Sequence, residues 1–280
     1  MSDIRATIRR GFVNVPAGQM HYRMAGEGGE RPFVMLHSNP GSSAMLLPLI
    51  ERFGAVRRVF APDTPGFGDS SRPTQAHPEI PDYARETAAA IDAMGIGEFD
   101  LYGTHTGANI ALELALMFPE RVKHLILDGI AFYTPEEKEE LLERYAPHVL
   151  PDHEGHHLMW TWHFVRDQWI YWPWFKRDKD HRRDVGMPDP VFLNAVVLDV
   201  LKNLGAFNLG YEASFRYRKE DRLPLLAVPT LIVSASTDLF FDRLEEICRR
   251  VPLARKMVVG GESDGDIEKA FAAFDGFLSE

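Results

Sequence analysis

Short apolar runs alternate with helix-like stretches through the first 130 residues, and this alternation restricts the fold more than any other feature of the chain. Phe33-Val-Met-Leu-His37, Arg57-Arg-Val-Phe-Ala-Pro62, Phe99-Asp-Leu-Tyr-Gly103 and His124-Leu-Ile-Leu-Asp128 each enter a loop, as buried strands do. Between them, Pro81 to Met94 opens on proline and is followed by Gly95, while Ala108 to Met117 is rich in Ala and Leu. Both read as helices. Ahead of them, Gly11 to Val15 and Gln19 to Ala25, joined by Pro-Ala-Gly, read as a β-hairpin. Strands alternating with helices imply an α/β fold, a mostly parallel sheet flanked by helices on both faces.

The alternation lapses from about Phe132 to Leu223, where the chain turns acidic-helical, then aromatic, then mixed. It resumes with a strand at Pro229 to Ala235, a helix near Arg243 to Arg250, a strand at Lys256 to Val259 and a helix at Asp266 to Leu278. The expected organisation is an α/β core in two parts, residues 1–131 and 224–280, interrupted by an inserted helical cap at 132–223. An insertion at the C-terminal edge of the sheet sits over the crevice where α/β folds bind ligands.

Composition narrows the partners. With 31 Lys+Arg against 41 Asp+Glu the formal net charge is −10, a field that repels phosphate backbones and anionic bilayers, so neither nucleic acid nor membrane is expected. The single cysteine, Cys248, cannot form an internal disulfide, which suits a reducing compartment. The opening MSDIRATIRRG has no apolar core of a signal peptide, and no apolar run is long enough to span a bilayer. A cytoplasmic protein, monomeric or homodimeric, is the expectation.

Three loops carry a joint signature: His37-Ser38-Asn39-Pro40-Gly41, then Ala61-Pro62-Asp63-Thr64-Pro65-Gly66-Phe67-Gly68-Asp69-Ser70, then Gly103-Thr104-His105-Thr106-Gly107 leading into a helix. With the C-terminal Ser-Ala-Ser-Thr-Asp238, the chain resembles the α/β-hydrolase fold superfamily over nearly all its length except the cap. The first two loops look most like the haloalkane dehalogenase and epoxide hydrolase-like branch. The resemblance implies that residues 103–107 form a nucleophile elbow, a strained strand-to-helix turn needing small residues two positions either side of its centre. It implies an oxyanion hole from the backbone N–H after the nucleophile and one from the first core loop, here Thr106 and Asn39, with Ser38 one residue away.

Two positions depart from the family pattern. The elbow centre is His105 rather than Ser, Cys or Asp, and it is expected at positive φ or in another sparsely populated backbone region. The eleven histidines end at His181, so the segment where the family places its catalytic histidine contains none, and Glu262 stands there instead. Asp238 keeps the acid position, and Asp128, at the end of another strand, is a reserve acid. A Ser-His-Asp triad cannot be assembled. The candidate catalytic set is therefore His105, Asp238 and Glu262, with a carboxylate orienting one imidazole nitrogen and the other nitrogen acting as general base or nucleophile. Asp63 and Asp69 read as loop-bracing residues. No metal-ligand spacing is present and no cofactor is implied.

All five tryptophans fall between Trp160 and Trp174, beside Phe164, Tyr171 and Phe175. Some glue the cap together; at least two are expected to line an apolar pocket above His105. Trp160, His163, Arg166, Asp167 and Trp169 are the substrate-binding candidates from the cap, and His37 the one from the core, where it also reads as shaping its loop. The function expected is hydrolysis of a small apolar or aromatic ester, lactone or related carbonyl compound. A cofactor-free lyase or decarboxylase and an inactive ligand-binding protein remain as alternatives. Dehalogenation is weakened by His105, since that family uses Asp at the elbow.

Overall fold

The computed structural model describes residues 6–28, 31–260 and 264–280, the side chains of 264–267 excepted. The chain opens with β1 (Arg9–Val15), β2 (Gly18–Ala25) and β3 (Phe33–Leu36), followed by α1 (Leu47–Gly54), β4 (Val59–Pro62), α2 (Ile80–Ala93), β5 (Phe99–Thr104), α3 (Thr106–Met117) and β6 (Val122–Asp128). A helical insert follows: α4 (Pro135–Arg144), α5 (His156–Asp167), α6 (Pro190–Lys202), α7 (Phe207–Arg216) and the single turn α8 (Lys219–Arg222). β7 (Thr230–Ala235), α9 (Leu244–Arg250), β8 (Ala254–Val259) and α10 (Asp264–Leu278) complete the core.

The strands form one sheet in the order β1-β2-β4-β3-β5-β6-β7-β8. β1 and β2 form the expected hairpin, β2 runs antiparallel to β4, and every later pair is parallel. Side chains alternate across the pleat. Val34 and Leu36 of β3 face the cluster built on α2 and α3, whereas Phe33 and Met35 face the cluster of Phe53, Phe271 and Phe274. Both faces of the central strands are thus buried, which is why they read as continuous apolar runs rather than alternating ones.

Helix α3 has buried residues all round its first three turns, from Thr106 to Ala115, so its sequence shows almost no polar face. Its one carboxylate, Glu113, is satisfied by Arg222 (Nη2–Oε1 2.7 Å) and by the Tyr217 hydroxyl at 2.7 Å. The insert has its own apolar cluster, in which Phe164, Phe207, Tyr211 and Trp174 meet Phe67 from the core loop after β4. Each such buried ring contributes roughly 1.5–3 kcal/mol, enough to hold the insert against that loop. Among the described residues no single helix is long and apolar enough to cross a membrane.

Candidate active site

The tight turn from β5 to α3 places His105. Its backbone adopts φ 48°, ψ −108°, and among the described residues it is the one non-glycine with positive φ. The expected strained turn is therefore present, at a cost of order 1–3 kcal/mol. Its neighbours enforce it. A Cβ on Gly103 would lie 2.3 Å from the Gly107 carbonyl oxygen, and one on Gly107 2.4 Å from that of Leu36. The His105 N–H donates to the Asp128 carbonyl at 2.8 Å, tying the turn to the end of β6. Gly129, the next residue, lies flat beneath the imidazole: a Cβ there would come within 2.5 Å of Cε1.

The imidazole is 43% exposed, into a cavity of about 540 Å³ between the C-terminal ends of the strands and the helical insert. Its Nε2 lies 3.6 Å from Asp238 Oδ2, the carboxylate carried by the loop after β7. That is ion-pair range but too long for a directed hydrogen bond. Asp128 is the second carboxylate on this wall. It accepts a 2.7 Å bond from the Tyr102 hydroxyl. Burial raises its pKa, with Asp238 adding to the rise, while Tyr102 and His105 pull it back. In the sequence Tyr102 reads as one more apolar strand residue, and only the sheet register brings its hydroxyl to the end of β6.

Asn39 and Thr106 both line the cavity, as does Ser38. Thr106 is the first residue of α3, whose opening N–H groups have no acceptor within the helix. Both side-chain polar atoms of Asn39 are buried without a hydrogen-bond partner. Trp169 and Trp172 line the wall contributed by the insert, together with Tyr133, Tyr145 and Phe192, and Phe240 joins them from the loop after β7. Arg183, also on this wall, donates to the Gln168 carbonyl at 2.6 Å and lies 5.7 Å from the Trp169 ring.

Several sequence candidates lie elsewhere. Trp160 is stacked on Phe164 inside the insert's own cluster, at 5.0 Å between centroids. Asp167 is fully buried between Arg166 (2.6 Å) and Arg177 (2.7 Å), so the Arg166–Asp167 pair braces the end of α5 rather than meeting a ligand. His163 is likewise absent from the cavity wall, with a buried, unpartnered Nδ1. The helical spacing that joins His163 to Asp167 is real, but α5 turns its aromatic face to α6 and α7 instead. His37 is also excluded from the cavity, being fully buried: its Nδ1–H donates to the Ser38 carbonyl (3.0 Å) and its Nε2 accepts from the Thr64 N–H (2.9 Å). Burial holds its pKa below the ordinary histidine value despite Asp63 nearby. Glu262 lies outside the described residues. Asp63 braces its loop as expected, accepting from the Ser43 N–H (2.8 Å) and the Asp69 N–H (3.1 Å).

Among the described residues two groups have ligand atoms close enough to hold a cation, His21 with Asp63 and Asp69, and Asp152 with Glu154 and His156. The first is already committed to internal hydrogen bonds and the second is exposed; neither reaches the cavity.

Comparison with known proteins agrees with this architecture. Residues 31–263 match the family described as alpha/beta hydrolase fold. The 2-hydroxy-6-oxo-2,4-heptadienoate hydrolase of Pseudomonas putida is 33% identical over 135 residues, 46% of this chain and 47% of that protein; the similarity thus spans about half of that relative's length. Among solved structures, the enol-lactonase from Burkholderia xenovorans LB400 superposes with a TM-score of 0.73 at 21% identity, covering 96% of this chain and 100% of that one. Epoxide Hydrolase A from Mycobacterium thermoresistibile gives 0.73 at 18%, covering 98% of each. The chain belongs to the α/β hydrolase fold family.

Proposed function

We propose that the protein is a cofactor-free hydrolase in which the His105 imidazole takes the place of the usual elbow nucleophile, acting on a small, largely apolar ester, lactone or related carbonyl compound. The observation that carries the reading is His105 itself, held at positive φ on the wall of an aromatic-lined cavity with its Nε2 3.6 Å from Asp238. A strained backbone at a cavity wall is where folds keep reactive groups. Asp238 favours the tautomer with the proton on Nε2 and stabilises the imidazolium, leaving Nδ1 with the lone pair.

In this reading Nδ1 takes a proton from water as the water oxygen attacks the substrate carbonyl. The negative charge forming on the carbonyl oxygen is received by the backbone N–H groups of Thr106 and Asn39. The tetrahedral intermediate then expels its alkoxide, which takes the proton back from His105. The insert acts as a cap, supplying apolar surface through Trp169, Trp172 and Tyr145 and excluding bulk water. The relatives support a carbonyl substrate: one is named for a 6-oxo dienoate and one for an enol-lactone.

The test is a panel of p-nitrophenyl esters, aryl esters and enol-lactones run on the wild type and on His105→Ala. Turnover of at least one compound, lost in the variant, together with no labelling by a serine-directed fluorophosphonate, is expected. Equal turnover by His105→Ala would overturn the reading. Stoichiometric binding without turnover across the panel would favour a receptor.

A further inference from the structure

The cavity has a second unusual group, far along the chain from His105. Lys219, the first residue of α8, is 2% exposed and lines the cavity. A buried ammonium normally has a carboxylate beside it. Among the described residues the Lys219 ammonium has no ion pair or hydrogen bond; its contact is the ring of Tyr133, 4.9 Å from Nζ to the centroid.

The carboxylates that its surroundings offer are taken. Glu220 pairs with Lys138 at 2.9 Å, and Glu113 of α3 is held by Arg222 and Tyr217. Lys138 adds a second positive charge nearby. On the cavity side, Asn109 of α3 donates from Nδ2 to Ser214 Oγ of α7 at 2.6 Å, and both residues line the same space. The Asn109 Oδ1 is buried with no partner. An apolar cavity wall that carries an unpaired amine, a hydroxyl and a spare amide oxygen is furnished for a polar carbon centre.

We infer that Lys219 is a second nucleophile of this cavity, an amine that forms an imine with the carbonyl of an apolar or aromatic aldehyde or ketone. The Nζ lone pair attacks the carbonyl carbon and the carbonyl π pair moves to oxygen. One Nζ proton passes to that oxygen, and the resulting carbinolamine loses its hydroxyl together with the second Nζ proton as water, leaving a C=N bond to Nζ; addition of water reverses the step. Desolvation keeps such an amine available. Burial pushes the Lys219 pKa down to about 7, against the pull of Glu220, so near neutral pH its free-amine fraction exceeds that of an ordinary lysine (~10.4) by about 10³-fold. The inference shares the cavity with the His105 reading but does not depend on His105.

Reductive trapping tests it. The full chain is treated at pH 7 with benzaldehyde and sodium cyanoborohydride, and the adducts are located by peptide mass mapping. Benzylation of Lys219 at least ten times faster than of the exposed Lys179 is expected. Lys219→Met and Lys219→Arg should each lose one fast equivalent of label by intact mass. His105→Ala should keep it, so that failure of the hydrolase reading and failure of this one are seen separately. Tryptophan emission from Trp169 and Trp172 reports whether benzaldehyde enters. Entry without modification of Lys219, or modification no faster than at Lys179, would overturn the proposal.

Discussion

Two histidine–carboxylate pairs stand at the same edge of the sheet, and they are built to opposite specifications. His21 and Asp63 meet at 2.8 Å with side chains 3% and 1% exposed. Ser43, the Asp69 N–H and Arg23 complete their shell. His105 and Asp238 stand 3.6 Å apart, 43% and 13% exposed, on a strained turn. The first pair spends its hydrogen bonds on the protein; in the second, Asp238 Oδ1 accepts from the Phe240 N–H at 2.8 Å, while the His105 imidazole faces the cavity. Buried polar groups that are fully satisfied rigidify a fold, and groups left open at a cavity are free to do chemistry. Residue type alone does not separate the two. Completeness of the shell does.

The comparison breaks most readily at His105. His105→Ala should lower kcat by about 10²–10⁴-fold, the range for removing an acid–base group, while the urea midpoint stays close to that of the wild type. Were activity to survive and stability to fall, the two pairs would have to exchange roles.

The converse variant is Asp63→Ala. It strips a buried carboxylate from His21 and Ser43 and should cost about 3–5 kcal/mol of unfolding free energy, with kcat of the surviving folded fraction retained. The pH dependence has the same origin. Burial alone would raise the Asp63 carboxyl, but His21, His37 and Ser43 hold it well below the usual carboxylate range. Its native pKa is below the unfolded one, so its contribution is present above about pH 4 and is lost as pH falls below that. His37, also depressed on folding, starts to cost stability as pH falls below about 6.5, where the unfolded state takes up the proton first. Acid titration of the urea midpoint should show both steps, and Asp63→Ala should remove the lower one.

Gly129→Ala gives a smaller effect that touches both quantities. The backbone there has φ +63° and the added methyl meets the imidazole. A loss of about 1–2 kcal/mol is expected from the left-handed backbone, with a fall in kcat because the ring must move. Unchanged kcat would mean that the position of the ring over Gly129 is irrelevant to the reaction.

The smallest effect is a gain. Lys219→Met replaces an unpaired buried amine with an apolar side chain of similar shape and should raise the melting temperature by a few degrees. Because folding lowers the Lys219 pKa to about 7, the native state is disfavoured most at and below pH 7, and its stability recovers as pH rises toward about 10. The advantage of the methionine should shrink along the same course. A pH-independent difference would mean that Lys219 titrates normally.

Much of this is legible in the sequence, for reasons that are local. Four-residue apolar runs that enter a loop, such as Phe33 to Leu36, suit strands buried on both faces, and Gly103 and Gly107 mark a turn with no room for a side chain. The partners of the site are less visible because they depend on register and on which way a helix faces. Lys219 sits in Lys-Glu-Asp-Arg, which looks like a solvated turn until α8 is folded against α3. Asp128 reads as a strand-end acid, but the hydroxyl bonded to it comes from the neighbouring strand β5. The tryptophans share fifteen residues of sequence yet divide between the cavity and the insert's interior, since α5 ends at Asp167, just before Trp169.

The turn at residue 105 has one further consequence. Its shape is dictated by Gly103, Gly107, the Asp128 carbonyl and the start of α3, all of them indifferent to which side chain residue 105 carries. The turn therefore works as a mount, and the side chain at residue 105 is an interchangeable fitting. Serine, cysteine or aspartate at position 105 should give folded proteins with the same cavity and different reactivity, whereas alanine at 103 or 107 should prevent the turn from closing. A fold that separates its mount from its reagent can change reaction by a single substitution without first having to solve folding again.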